Sequence, residues 1–317
     1  EVFAAHDIGY FFYNGGGDSQ DTTFKVSEMA KKLKFPLKCI GIPKTVDNDL
    51  PYTDCSPGFG SVAKYIATST LEAGLDVKSM AETSTKVFIL EVMGRHAGWI
   101  AAASCLAATK AGDPPHIILL PEVPFEKTKF ITQVKQTVKE QGYCVIVASE
   151  GTQTKNGKFL ADSGLTDAFG HKQLGGVAPV LAGMISKIGL KNHWAVADYL
   201  QRSARHIASK TDLDQAYAVG EHAVKLAISG KTALMPIIKR TSDSPYKWKI
   251  ATAPLKNVAN IEKTMPKKFI SKNGFEITQA GKTYLRPLIK GEAPIKYVNG
   301  LPDVAELKKI KVKKKLN

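Results

Sequence analysis

The 317-residue chain reads as an α/β protein built on mainly parallel sheets. Three observations predict this. Short, unbroken apolar runs recur along the first two-thirds of the chain. Longer amphipathic segments separate them. Run after run stops at a loop of small or charged residues. A strand buried on both faces is continuously apolar rather than alternating, and a parallel pair needs a long crossover, usually a helix. The length predicts two domains.

The elements follow in order. "EVFAAHDI" (1–8) reads as the back half of an amphipathic helix feeding a strand, so the chain looks cut inside a domain. It has neither an initiator Met nor a signal-peptide pattern. Strands are expected at "YFFYN" (10–14), "LKCIGIP" (37–43), "KVFILEVM" (86–93), "HIILLPE" (116–122), "YCVIVASE" (143–150) and "HWAVADYL" (193–200). Helices are expected over 21–34, 59–81, 97–111, 126–141 and 172–188, and over 211–231, where Gly230 ends the last. From about 232 to 300 the pattern loosens into short β-like runs, turns and prolines.

Composition narrows the function. Hydrophobic residues make up 44% and charged residues 23%, and no run approaches the roughly 18 apolar residues of a membrane span. The net charge of +15 is partly local, since "ELKKIKVKKKLN" carries six Lys against one Glu. Basic and aromatic residues do not interleave as in a nucleic-acid groove, so nucleic acid is not the expected partner; an anionic small substrate fits better. Cys39, Cys55, Cys105 and Cys144 lie far apart with no CxxC pair, which fits buried thiols and a reducing cytoplasm.

In open parallel sheets, ligands bind at the carboxyl ends of the strands. Five such ends carry chemistry here. "NGGGDSQDT" (14–22) is a glycine-rich strand-to-helix turn in which Gly15 and Gly16 allow close backbone approach, and a helix N-terminus favours phosphate. Asp18 beside it is unfavourable unless a metal bridges it or the site rejects something larger. "PKTVDND" (43–49) offers Lys44 and Thr45 to phosphate oxygens. Asp47 or Asp49 can act as a base, and the other can hold Mg²⁺. A solvated turn capped by Asp47, Asn48 and Asp49 is the structural alternative. "EVMGRHAGW" (91–99) sets Arg95, a planar phosphate clamp, between Gly94 and Gly98, with Met93 and Trp99 expected to pack. Glu150 in "ASEG" can accept from a sugar hydroxyl. "DYLQR" supplies Tyr199 and Arg202. Phosphoryl transfer needs this set: a base, an oriented nucleophile, and cations on the moving group.

"PKTVDND", "EVMGRHAGW", "SEG", "GHKQLGGVAP" and "YLQR", in this order and spacing, resemble the phosphofructokinase family from about residue 10 to 230. The resemblance implies two similar three-layer α/β domains, with the N-terminal part of the usual chain missing. It divides the chain into a donor-side domain, 1–62 plus about 201–257, and a sugar-phosphate-side domain, 63–200 plus about 258–317. It implies Mg²⁺-dependent phosphorylation of the 1-hydroxyl of fructose 6-phosphate in the cytoplasm by a homodimer or homotetramer. Asp47 matches the catalytic base, Thr45 the neighbouring phosphate contact and Asp49 the second acid. Met93, Gly94 and Arg95 match the loop whose Arg binds the transferring phosphate. Glu150 matches the acid on the sugar, and Arg202 the arginine on its 6-phosphate.

Asp18, Lys44 and Tyr199 resemble the pyrophosphate-using branch; ATP-using members typically carry Gly at the first two positions. The departures are Gly17, where many members have a metal-binding Asp, and Lys86 and His193, which stand roughly where ATP-type members place arginines that reach a neighbouring subunit's substrate. Metal binding then falls to Asp18, Asp47 and Asp49. The alternatives are an ATP-dependent enzyme and a non-catalytic relative that binds sugar phosphate without transfer. The distantly similar NAD kinase group shares a Gly-Gly-Asp loop but not the "PKTVDND" and "MGR" pair.

Overall fold

The computed structural model describes residues 1–166, 172–174 and 176–316, which form two separate four-stranded sheets. A short helix α1 (Val2–Ala5) leads to β1 (Tyr10–Gly15), α2 (Gly17–Lys32), β2 (Lys38–Pro43) and the long α3 (Phe59–Met80). There follow β3 (Val87–Val92), α4 (Trp99–Ala103), β4 (Ile117–Leu119), α5 (Lys127–Gln141) and β5 (Cys144–Ser149). A ribbon, β6 (Asp162–Thr166) and β7 (Lys172–Leu174), precedes α6 (Val177–Ser186), β8 (Asn192–Val196), α7 (Asp198–Ser203) and α8 (Lys210–Ile228). The chain closes with the hairpin β9 (Leu234–Asp243) and β10 (Tyr246–Pro254), helix α9 (Gln279–Leu285), and a small hairpin of β11 (Tyr297–Val298) and β12 (Leu301–Pro302).

The first sheet runs β1-β2-β9-β10, parallel except for the β9–β10 hairpin. The second runs β4-β5-β3-β8 and is parallel throughout. The central strands behave as their composition requires: β5 is buried at every position, and β3 at all but Phe88. The edge strands β1 and β8 are largely exposed, Tyr10 by 53% and Trp194 by 48%. An edge strand lacks a covering neighbour on one side, which an apolar run alone does not reveal.

Helix α3 joins the two sheets. Its N-terminus is held from α8: the Asp212 carboxylate accepts the amide N–H groups of Gly58 (2.9 Å) and Ser61 (3.1 Å). Its buried face packs Phe59 against Trp99 of α4 at 6.4 Å between ring centres. Truncating a ring buried as completely as Phe59 costs about 3–5 kcal/mol.

Three expectations shift. The helix expected over 97–111 is α4 with one 3₁₀ turn, Ser104–Ala107. Asp113 captures the N–H groups of Thr109 and Lys110 and so sets a loop there. The strand expected over 193–200 ends at Val196, and the chain turns at Asp198 (φ +35°) into α7. The helix expected from 172 starts at Val177, because 172–174 is strand.

Candidate active site

All five strand ends marked in the sequence open into one cleft of about 1000 Å³. The first sheet contributes the residues after β1 and β2. The second contributes those after β3, β5 and β8. Gly16, Asp18, Thr45, Asp47, Asp49, Met93, Arg95, Glu150, Tyr199 and Arg202 all line it. Gly15 lies buried just beneath, where an added Cβ would collide with the Ser19 side chain. Gly94, also off the surface of the cleft, takes φ +133°, a left-handed conformation that favours glycine. The Lys44 side chain is exposed and Lys44 is not among the lining residues; its amide bonds the Gly15 carbonyl (3.1 Å). Lys86 lies at the opposite end of β3, its ammonium bonded to the Ala81 and Glu82 carbonyls. His193 lies exposed on β8, outside the cleft. Gly170, His171 and Gly175 of "GHKQLGGVAP" fall outside the described residues.

The loop after β2 is the centre. The Thr45 hydroxyl donates to Asp47 Oδ2 (3.2 Å) and accepts the Asp47 amide (3.1 Å), which aims the Asp47 carboxylate. The turn-capping role belongs to Asn48, which is fully buried at φ +55°. Its Oδ1 accepts the Ser56 amide (3.0 Å) and its Nδ2 donates to the Tyr284 hydroxyl (3.0 Å). Asp47 and Asp49 are thus free for the cleft. Burial pushes the Asp47 carboxyl above the usual range, opposed by the Thr45 hydrogen bond and by Arg95, Arg202 and His96. Burial also raises Asp49, to about 6, and the charges of Asp47 and Glu262 add to it. Asp49 Oδ1 is buried without a hydrogen-bond partner.

The loop after β3 carries Arg95. Glu150 accepts the Gly94 amide (3.3 Å), and the Ser149 hydroxyl donates to the Gly94 carbonyl. A side chain at Gly151 would run into the Arg95 and Gly94 carbonyls, so glycine there lets the two loops touch. Burial raises the Glu150 carboxyl, helped by Asp47 and opposed by the Gly94 N–H and Arg95. On α7, Tyr199 and Arg202 share a face, with the guanidinium 4.2 Å above the ring centre. On the side of the first sheet, α2 starts at the cleft, with Gly16 at its N-cap and Asp18 in its first turn.

Several residues that hold the site are given no role by the sequence. Gln20, fully buried, donates to the carbonyls of Gly15 (2.9 Å) and Ile42 (3.1 Å) and locks the ends of β1 and β2 together. Glu91 accepts the amides of Gly176 (2.9 Å) and Ala178 (2.8 Å) and so fixes the start of α6 against β3. Asn260, Ile261 and Glu262 form a wall of the cleft from a segment in which the sequence suggested only loose structure. Glu91 and Gln20 lay inside the stretches "EVMGRHAGW" and "NGGGDSQDT", which was their signal; the 260–262 segment had none.

Among the described residues no cluster of three or more His, Cys, Asp or Glu forms a metal cage. Mg²⁺ does not need one. It keeps several waters and takes one or two carboxylates together with substrate phosphates. Asp18, Asp47 and Asp49 in one cleft, with Asp49 Oδ1 unpartnered, suit that mode.

The model of the phosphofructokinase family matches residues 1–227. A Halomonas elongata protein named pyrophosphate–fructose 6-phosphate 1-phosphotransferase is 64% identical over the whole chain, which covers 76% of that relative. The crystal structure of a pyrophosphate-dependent phosphofructokinase from Marinobacter aquaeolei superposes with a TM-score of 0.91 at 61% identity, over 99% of this chain and 76% of that one. Another, from Nitrosospira multiformis, gives 0.92 at 57% identity with the same coverage. With most of its length matched by the family model and the site motifs gathered in one cleft, the chain belongs to the phosphofructokinase family.

Proposed function

We propose that the chain transfers a phosphoryl group reversibly from pyrophosphate to the 1-hydroxyl of fructose 6-phosphate. The observation that carries this is the Thr45-aimed Asp47 carboxylate, set in a cleft that Arg95 and Arg202 also line. The cleft's relatives act on the same pair of substrates, as their names state.

In the proposed reaction Asp47 accepts the proton of the 1-hydroxyl as its oxygen attacks the phosphorus. The bond to the bridging oxygen of pyrophosphate breaks, and phosphate leaves with the electron pair. A base whose pKa is raised toward the working pH is better matched to this task than an ordinary carboxylate. Arg95 holds the moving phosphoryl group through its planar fork. Glu150 accepts from a sugar hydroxyl, Met93 and Gly94 shape the sugar pocket, and Arg202 with Tyr199 holds the 6-phosphate. One or two of Asp18, Asp47 and Asp49 would hold Mg²⁺ together with the substrate phosphates, and the ion would offset the negative charge of the phosphate oxygens.

The donor preference rests on Asp18 and Lys44. The carboxylate of Asp18, in the first turn of α2, crowds and repels the inner phosphate of a nucleotide. Lys44, exposed and directly before the cleft-lining Thr45, would add a cation for a compact, highly charged donor. The proposal includes a donor-side domain of 1–62 plus about 201–257 and a sugar-phosphate-side domain of 63–200 plus about 258–317. It also includes a cytoplasmic setting and a homodimeric or homotetrameric assembly. No helix among the described residues is long and apolar enough to cross a membrane.

The test is a coupled assay for fructose 1,6-bisphosphate with pyrophosphate or ATP as donor. Turnover with pyrophosphate is expected. Substantial turnover with ATP and none with pyrophosphate would overturn the donor assignment. Undiminished turnover in Asp47→Ala would remove Asp47 as the base.

A further inference from the structure

The segment Asn260–Met265 lies beyond the part of the chain matched by the family model, yet it touches α2, the Asp47 loop and the Arg95 loop. At one end the Asn260 side chain donates to Asp21 of α2 (3.0 Å). Next, Glu262 pairs with His96, one residue after the Arg95 clamp (2.7 Å). The Lys263 amide bonds the Asp49 carbonyl (2.6 Å), and the Lys263 carbonyl accepts the Trp99 indole N–H (3.0 Å). Finally Glu122 accepts the amides of both Gly98 (3.0 Å) and Met265 (3.1 Å), which ties the end of the Arg95 loop to the end of the segment.

The anchor is Lys263. Its ammonium is buried against the underside of the Asp47 loop and donates to the carbonyls of Thr53 and Asp54 (3.0 Å each), with Asn48 Oδ1 at 3.4 Å. The Trp99 ring lies 5.4 Å away. A buried ammonium is costly unless its donors are used, and here all three of its hydrogen bonds fall on the loop that carries Asp47 and Asp49. The Lys263 ammonium and amide therefore hold the base loop, while its carbonyl and its neighbours hold the clamp loop.

We infer that Asn260–Met265 is a strap that sets the Asp47 loop and the Arg95 loop in register for transfer, with Lys263 as its principal positioning residue. In-line transfer needs the base and the phosphoryl clamp placed together, and an error of about 1 Å can cost roughly a hundredfold in rate. The inference about rate rests on the proposed phosphotransferase reaction; the inference about register does not.

The experiment has two readouts on the full chain. The first is steady-state kinetics of Lys263→Met, Lys263→Arg and Glu262→Gln. Lys263→Met should lose about 10²-fold in kcat with both KM values nearly unchanged. Lys263→Arg, which keeps a buried cation and donors, should recover most of that loss. Glu262→Gln, at the half-exposed rim where folding is not at stake, should lose about threefold. A parent enzyme active with pyrophosphate beside variants of undiminished kcat would overturn the strap while leaving the reaction in place.

The second readout is amide hydrogen exchange of the substrate-free protein. Lys263→Met should speed exchange at 94–98 as well as at 48–54, although the Lys263 ammonium bonds only the latter loop. Faster exchange confined to 48–54 would make Lys263 a local prop and overturn the inference, whatever the donor proves to be. Should Lys263→Met fail to fold, Glu262→Gln decides: unchanged exchange at 94–98 and at 48–54 refutes the strap.

Discussion

Replacing Asp49 by Asn should stabilise the folded chain while weakening its phosphate site. Burial is the main reason its carboxyl titrates near 6 instead of 3.8, with the charges of Asp47 and Glu262 adding to it. That difference, about 2 units at 1.36 kcal/mol each, is a cost of roughly 3 kcal/mol carried by the ionised form. The folded pKa is the higher one, so the native state binds more protons between 3.8 and about 6. Stability therefore falls as pH rises through that window and stays low above it. Asn carries no charge and removes the cost. Its amide N–H groups enter a spot where Asp49 Oδ1 has no partner, which takes back about 1 kcal/mol. The net gain is about 2 kcal/mol at about pH 8, or a rise of about 4 °C in Tm, shrinking toward about pH 4. Thermal melts of parent and variant without divalent cations, at about pH 8 and about pH 5, measure it. A lower Tm for Asp49→Asn at the higher pH, or a gain equal at both, would refute the reasoning.

Asp47→Asn should lower kcat by about 10²–10⁴-fold. In the parent, kcat/KM should fall as pH drops through a value above the ordinary Asp range, because the base must be ionised and burial raises its pKa; a flat profile down to about pH 4 contradicts this. Arg202→Ala should raise KM for fructose 6-phosphate by about 10–100-fold and leave KM for pyrophosphate nearly unchanged, the loss of a charge-assisted contact to the 6-phosphate. The double change Asp18→Gly with Lys44→Gly should cut kcat/KM for pyrophosphate at least about tenfold and bring in measurable turnover with ATP; unchanged donor preference would show that the discrimination lies elsewhere.

The strands and the loops at their carboxyl ends were legible because their physics is local. "VFIL" (87–90) and "YCVIVA" (143–148) are apolar without a break since the strands are buried, and the polar residues that follow them stand where the cleft begins. "PKTVDND" was legible for its density of charge in one turn. It was ambiguous between a capped turn and a site, and the structure divides the labour: Asn48 caps and Asp47 faces the cleft. What was illegible depends on partners far away in sequence. Lys263 is one cation in a chain with 44 Lys and Arg, and nothing in "NIEKTMPKK" says that its ammonium meets Thr53 and Asp54. Glu122 and Gln20 act on backbone groups, which leave no compositional trace. The end of the 97–111 run was misplaced because Asp113, not helix propensity, decides where the Ala-rich stretch stops.

The most direct measurement is ³¹P NMR of the full chain run in reverse, with fructose 1,6-bisphosphate, inorganic phosphate and Mg²⁺. The proposed reaction predicts a growing pyrophosphate resonance matched by fructose 6-phosphate, and its loss in Asp47→Asn. Formation of ATP when ADP replaces inorganic phosphate, with no pyrophosphate formed from phosphate, would contradict it.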